Sequence, residues 1–332
     1  MTTTALSTTR RLLALGLAAI ALLGLPAGSA HAERYPSRPV RVIVPLPCGG
    51  ANDAVARVLA PRLEKVLSQT VVVECRPGGG GIVGATAVAR AKPDGHTLLQ
   101  SFPAPIAINT TPGDPNGMVG LDRQEPIAIV AELEAVFTVN ANVPATDLKS
   151  FIAYTEARQG KARLGITAPG NFPALASQKF FIERKVQGRR VNYPGTAPAL
   201  KDLLGGHIDG HLDVLAGSLP HIRSGSLRAL AVAGKARSPY LPDVPTSVEQ
   251  GYPELIASAW FALAAPAGTP RPVIDTLSRA VLQITSSADY QEAVTTLGAL
   301  PRTTTPAEAR EFIHSEQQRA AQIVAQLPPP AH

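Results

Sequence analysis

Val40-Arg41-Val42-Ile43-Val44-Pro45-Leu46-Pro47-Cys48-Gly49-Gly50 is the stretch that decides the fold class. A β-branched run ends in prolines and glycines, which reads as a strand entering a tight turn. Asn52 or Asp53 is then the expected N-cap of a helix whose apolar positions, Val55, Val58, Leu59, Leu63, Val66 and Leu67, share one face. Pro61 is expected to kink that helix, because proline removes a backbone hydrogen bond. Strand, glycine-rich turn and helix form a βα unit, and a second copy follows. Val71-Val72-Val73-Glu74 is its strand, Arg76-Pro77-Gly78-Gly79-Gly80-Gly81 its turn and Ala85 to Ala91 its helix, before a third strand at Thr97-Leu98-Leu99. Continuous apolar strands alternating with helices predict an α/β fold, a mostly parallel sheet flanked by helices.

Further along, Pro112 to Gly117 is loop by composition, and Ala128 to Val139 and Ser258 to Ala264 read as extended chain. Thr146 is placed as the cap of a helix that carries Leu148, Phe151 and Ile152 and stops at Gly160. Arg163 to Thr167 is a strand ending in Ala168-Pro169-Gly170-Asn171; Leu200 to Leu204 precedes Gly205-Gly206, and Leu227 to Ala233 is another strand. Thr269-Pro270 is read as a cap and first-turn proline before the stripe Ile274, Leu277, Val281 and Ile284. Thr305-Pro306-Ala307-Glu308 has the form of a capping box leading into a last helix.

The chain has 332 residues, 45% hydrophobic and 17% charged, which excludes disorder and leaves room for two domains. Its 31 Pro and 28 Gly follow no period, which excludes a collagen-like architecture. Arg10-Arg11, the apolar run Leu12 to Leu25 and Ala30-His31-Ala32 form a secretory signal peptide, residues 1–32, cleaved after about Ala32. The run is shorter than the ~20 residues a membrane span needs. The signal contains no cysteine, so a lipid anchor is disfavoured, and the general and twin-arginine export routes both remain open. Loss of Arg10 and Arg11 takes the formal charge from +6 to +4. No basic run interleaved with aromatics occurs, so no nucleic acid partner is expected, and Arg184-Lys185 with Arg189-Arg190 reads as a solvated turn. Cys48 and Cys75 reach an oxidising compartment, where two cysteines allow one intramolecular disulfide. Without Cys-x-x-Cys or His-Glu-x-x-His, no metal site is expected.

Gly79-Gly80-Gly81-Ile82-Val83-Gly84 fits a dinucleotide fingerprint, but no acid stands near Leu99-Gln100 to hold a ribose. No cofactor is expected, and the glycines read as a close-approach turn. No G-x-S-x-G elbow occurs, and the neighbours Asp213, Ser218 and His221 are not a triad by proximity alone, so no enzyme activity is expected. What remains is a set of Gly- and Asn-rich turns at the carboxyl ends of strands, several opening a helix. Backbone N–H groups and helix dipoles there make anion sites, which points to a receptor for a carboxylate.

Seven motifs in register resemble the periplasmic solute receptors of tripartite tricarboxylate transporters, the Bug receptor family. They are Tyr35-Pro36-Ser37-Arg38-Pro39-Val40, Pro45-Leu46-Pro47-Cys48-Gly49-Gly50, Val72-Val73-Glu74-Cys75-Arg76-Pro77-Gly78, Lys92-Pro93-Asp94-Gly95-His96-Thr97-Leu98, Ala197 to Gly206, Leu241-Pro242-Asp243-Val244-Pro245-Thr246 and Ala265 to Pro270. The resemblance runs from Tyr35 to Val324. It implies a two-lobe, flytrap fold of the periplasmic-binding-protein type, each lobe a mostly parallel sheet flanked by helices. Lobe 1 would be 33–133 plus 255–332 and lobe 2 would be 134–254, with the two extended segments as crossings. It further implies a monomeric periplasmic receptor that takes a small organic carboxylate to membrane transporter subunits, with a ligand-sensing adaptor as the alternative. The ligand-binding residues carried over are Pro47, Gly49 and Asp53 in the first loop, Ser101 and Phe102 after the third strand, Thr167, Gly170 and Asn171 in the second lobe, and Tyr193 and Asp213 facing them.

Two departures from the family pattern bear on this. Cys48 and Cys75 replace other residues in two loops expected at one sheet edge, so either a disulfide clamps those loops or two independent thiols are buried there. The second-lobe loop, Ala168 to Leu175, lacks the family's hydroxyls and its His and gains Phe172. That implies a less polar ligand, an aromatic or monocarboxylic acid in preference to citrate.

Overall fold

A computed structural model describes residues 35–103, 120–167, 171–193 and 195–326. The signal segment, Pro112 to Gly117 and the loop residues 168–170 lie outside the described residues. The body from Arg38 onward is built on strands β1 (Val40–Val44), β2 (Val71–Cys75), β3 (Thr97–Ser101), β4 (Gln124–Asn140), β5 (Arg163–Thr167), β6 (Arg189–Tyr193), β7 (Gly210–Val214), β8 (Leu227–Val232), β9 (Ser258–Pro266) and β10 (Leu300–Pro301). Helices α1 (Ala51–Leu67), α2 (Ile82–Ala89), α3 (Leu148–Ala157), α4 (Phe172–Glu183), α5 (Thr196–Leu204) and α6 (Leu215–Arg223) are interleaved with the first eight strands. Helices α7 (Arg271–Thr285), α8 (Ala288–Thr296) and α9 (Pro306–Gln326) follow β9.

Strand pairing repeats. β1 lies parallel to β2 and to β3, β3 is antiparallel to β9, and β9 is antiparallel to the first part of β4, from Gln124↔Pro266 to Glu134↔Ser258. In the same way β5 lies parallel to β6 and to β7, β7 is antiparallel to the last part of β4 (Ala135↔Val214 to Val139↔Gly210), and that part is antiparallel to β8. The order β2-β1-β3-β9-β4 thus recurs as β6-β5-β7-β4-β8. β4 belongs to both sheets, and its partners change between Glu134 and Ala135.

Helix starts differ in detail from the sequence expectations. α1 begins at Ala51 with Gly50 as its N-cap, because the Asp53 carboxylate is used by the loop, accepting the Gly49 N–H at 2.8 Å. α1 continues through Pro61 to Leu67. α3 is capped by Asp147 instead of Thr146: its Oδ1 accepts the Ser150 N–H at 2.6 Å, while Ser150 Oγ accepts the Asp147 N–H at 3.1 Å. Pro270 is the N-cap of α7, not part of its first turn. The Thr305/Glu308 capping box forms in both directions, at 2.7 and 3.2 Å.

Both parts of β4 are buried because apolar layers cover them. Phe137 packs edge-on against Phe151, Phe180 and Phe181 at centroid distances of 4.9, 6.1 and 6.3 Å. Trp260 of β9 is fully buried and meets Phe312 of α9 at 5.6 Å. α2 rides on the first loop: a Cβ at Gly84 would lie 2.8 Å from Pro45 Cα and from the Arg76 carbonyl oxygen.

Candidate functional site

The carboxyl ends of β1 and β3 in one sheet and of β5 and β7 in the other point toward the middle of β4, because β3 runs antiparallel to β9, which is antiparallel to the first part of β4, while β7 runs antiparallel to its last part. Strand-end loops of both sheets are thereby brought to one region, the edge at which open α/β sheets bind ligands.

On the first side, Pro47 and Gly49 lie exposed in the turn after β1, with Gly49 at φ +84°. Cys48 and Cys75 are joined by a disulfide, S–S 2.00 Å and Cα–Cα 5.7 Å, which ties this turn to the end of β2. Asp53 is buried beneath it. Its Oδ2 accepts Arg57 Nε at 2.9 Å as well as the Gly49 N–H, and Cys75 Sγ touches its Oδ1 at 3.5 Å. The Arg57 hydrogen bond holds the Asp53 carboxyl below its usual range against the opposing effect of burial. Asp53 is therefore an ionised anchor for the turn. Although Asp53 and both sulfurs lie close together, the sulfurs are bonded to each other and offer no thiolate to a metal. Asn52 Nδ2 donates to the Gln100 carbonyl at 3.2 Å and fixes α1 to the end of β3. Ser101 is fully buried there, and the Phe102 ring covers Gly81, where a Cβ would come within 2.6 Å of it. The glycine run thus serves a close approach between two loops.

On the second side, Thr167 pairs with Tyr193 and is buried. Gly170 lies outside the described residues. Asn171 caps α4, its Oδ1 accepting the Ala174 N–H at 2.8 Å, so the helix N-terminus opens at this loop. Tyr193 donates its hydroxyl to Asp202 at 2.7 Å, a structural bond; burial, helped by that bond, lifts the hydroxyl to about 12. Phe172, read from sequence as an aromatic added to the ligand loop, is instead fully buried in the core under the Arg319 guanidinium, 4.5 Å from its ring centroid. It starts a helix whose first two turns, Phe172 to Ser177, are buried on every side, so its ring is taken up by the core. The aromatic argument for the ligand falls with that placement; the loss of hydroxyls stands.

Asp213 is 2% exposed; its Oδ1 accepts the Val214 N–H at 2.7 Å and Thr196 Oγ1 at 3.1 Å. Burial pushes its carboxyl up to about 6 and pushes His211, two residues earlier on the same face, down to about 4. Asp213 Oδ2, Thr167 Oγ1, Ser101 Oγ, Ser218 Oγ and both His211 ring nitrogens are buried with no hydrogen-bond partner among the described residues. Such groups are costly to a fold and concentrate where function retains them. His211 was missed in the sequence. Its signal was the polar period of two in Gly210-His211-Leu212-Asp213.

The two shifts act on stability in opposite senses. Asp213, raised in the folded state, destabilises as pH rises from about 4 through 6, whereas His211, depressed, stabilises as pH rises from about 4 to 6.5. Asp213→Asn keeps the Oδ1 acceptor and removes the first slope. It is expected to raise stability by on the order of 2 kcal/mol at pH 7.5 and by almost nothing at pH 4. Urea melts across that range check this, and a gain independent of pH contradicts it.

Comparison with known proteins assigns this arrangement. The family model described as tripartite tricarboxylate transporter family receptor matches residues 55–328. Protein BugT of Bordetella pertussis is 38% identical over 319 residues, covering 95% of this chain and 97% of that protein. Rpa4515 of R. palustris, solved with adipate, superposes with a TM-score of 0.78 at 29% identity, covering 88% of this chain and 97% of that one. MatC of Rhodopseudomonas palustris, solved with bound malate, does so with a TM-score of 0.73 at 31% identity, covering 87% and 100%. On these matches the chain belongs to the tripartite tricarboxylate transporter family of periplasmic receptors, solute-binding proteins and not enzymes.

Proposed function

We propose that this receptor binds a small carboxylate between two lobes, 33–133 with 255–332 and 134–254, whose boundary falls where β4 changes partners. The convergence of the strand ends of both sheets on the middle of β4 carries this reading. One carboxylate is held chiefly by backbone N–H groups of the Pro47–Gly49 turn and by the N-terminus of α4 at Asn171. Ser101, Phe102, Thr167 and Asp213 line the remainder. Arg57, which reaches Cys48 of the first loop, is already paired with Asp53. A ligand with one or two carboxylates therefore suits the site better than a tricarboxylate, and the adipate and malate held by the relatives agree in class. Export with cleavage after Ala32 would deliver the receptor to the periplasm as a monomer. Among the described residues no helix is long and apolar enough to cross a membrane.

A thermal-shift screen of the exported protein against mono-, di- and tricarboxylates tests the proposal. A cognate acid at 100 times its Kd adds ~2.7 kcal/mol of stability, a readily measured shift. Mono- or dicarboxylate hits with citrate silent are expected; a response to citrate alone overturns the assignment of ligand class.

A further inference from the structure

The end of the second sheet remote from the strand-end site carries an unusual charge pattern. Loops 158–162 and 184–188 lead into the amino ends of β5 and β6, which pair side by side from Arg163↔Arg189. Arg158, Lys161, Lys185, Arg189 and Arg190 are all exposed there. None has a carboxylate within ion-pairing distance among the described residues, whereas Arg163 and Arg184 in the same region are paired with Asp209 and Glu254. Two of the five are stiffened by aromatic rings, Arg158 over Tyr154 at 5.6 Å and Arg190 over Phe181 at 4.7 Å. Ile182, 45% exposed, stands at the end of α4 beside them.

β6 is the last strand of its sheet, and basic residues on an edge strand prevent pairing with other chains. That accounts for Arg189 and Arg190. It does not account for Arg158, Lys161 and Lys185, which lie in loops and guard no edge. We infer that this basic end of the second sheet is a docking face for an anionic phospholipid surface. Arg190 is held back on the Gly188 and Val186 carbonyls, at 2.9 and 3.2 Å, over the Phe181 ring. The other four, from two loops and the strand start, form no fork around a particular acid, the pattern of a diffuse attraction to headgroups. Ile182 supplies an apolar side chain for shallow insertion. Because the face lies at the amino ends of the strands, docking leaves the carboxyl-end site open. A receptor held at the membrane would search for its transporter in two dimensions.

The test is cosedimentation of the processed protein, recovered from the export compartment, with vesicles of phosphatidylcholine containing 30% phosphatidylglycerol, and with pure phosphatidylcholine. Binding to the anionic vesicles at 50 mM salt, loss of it at 0.5 M and none to neutral vesicles are expected. Each cation near the surface contributes roughly a fivefold factor, so Lys161→Gln/Lys185→Gln/Arg189→Gln together should weaken partitioning on the order of a hundredfold. The variant's melting temperature and ligand response should stay unchanged, which separates docking from folding. No binding by the native protein at low salt overturns the inference, as does undiminished binding by the triple variant. Binding only to neutral vesicles that carry the transporter's membrane subunits also overturns it, by moving the face to an acidic protein.

Discussion

Reduction of the Cys48–Cys75 bond is expected to lower the melting temperature by about 5–10 °C. The bridge spans 27 residues, and closing a loop of that length restricts the unfolded chain by about 3.5 kcal/mol. The loss should also reach the site, because the bond holds the Pro47–Gly49 turn against the end of β2, over the Asp53 carboxylate that anchors Gly49. Cys75→Ser should reproduce the shift and weaken ligand binding, and differential scanning fluorimetry with and without reductant measures both. An unchanged melting temperature in protein whose two thiols are shown to be free contradicts the account.

Phe137→Ala is expected to destabilise the protein by about 3–5 kcal/mol. Phe137 is fully buried on β4, and three aromatic rings from α3 and α4 meet it edge-on. Truncation leaves a cavity that three packed rings cannot close, and it does so on the strand shared by both sheets. Val248→Ala, at a side chain 39% exposed, should by comparison change stability by less than about 0.5 kcal/mol. Urea unfolding of the two variants beside the native protein checks the contrast, and a Phe137→Ala loss under 1 kcal/mol contradicts it.

The alternation of apolar runs with Gly-rich turns is enough to read the βα units and their parallel pairing, since β1 and β2 announce themselves by β-branched residues and β3 by the apolar pair Leu98-Leu99. The extended character of Ala128 to Val139 was also legible. That it forms a 17-residue strand serving two sheets was not, because its partners β7, β8 and β9 lie far along the chain and no local pattern names them. The first loop reads as a turn in sequence and folds as one, whereas Asn52 or Asp53 reads as the cap and the structure caps α1 at Gly50. A carboxylate in the first turn of a helix serves the helix or the preceding loop equally well in sequence, and only the Gly49 N–H decides between them. Phe172 illustrates the converse, since a residue next to a site loop is assigned to the site in sequence, and only the burial of the whole start of α4 places it in the core. His211 carries no motif, and its burial depends on Gly165 across the strand, where a Cβ would come within 3.0 Å of His211 Cβ.

The most direct measurement is isothermal titration calorimetry of the exported, ligand-stripped receptor with the acid that gives the largest thermal shift, and with its methyl ester. One-to-one binding of the acid, at least a tenfold loss for the ester and recovery of the acid unchanged are predicted. Equal binding of acid and ester, or conversion of the acid to a product, contradicts recognition of a carboxylate by a receptor.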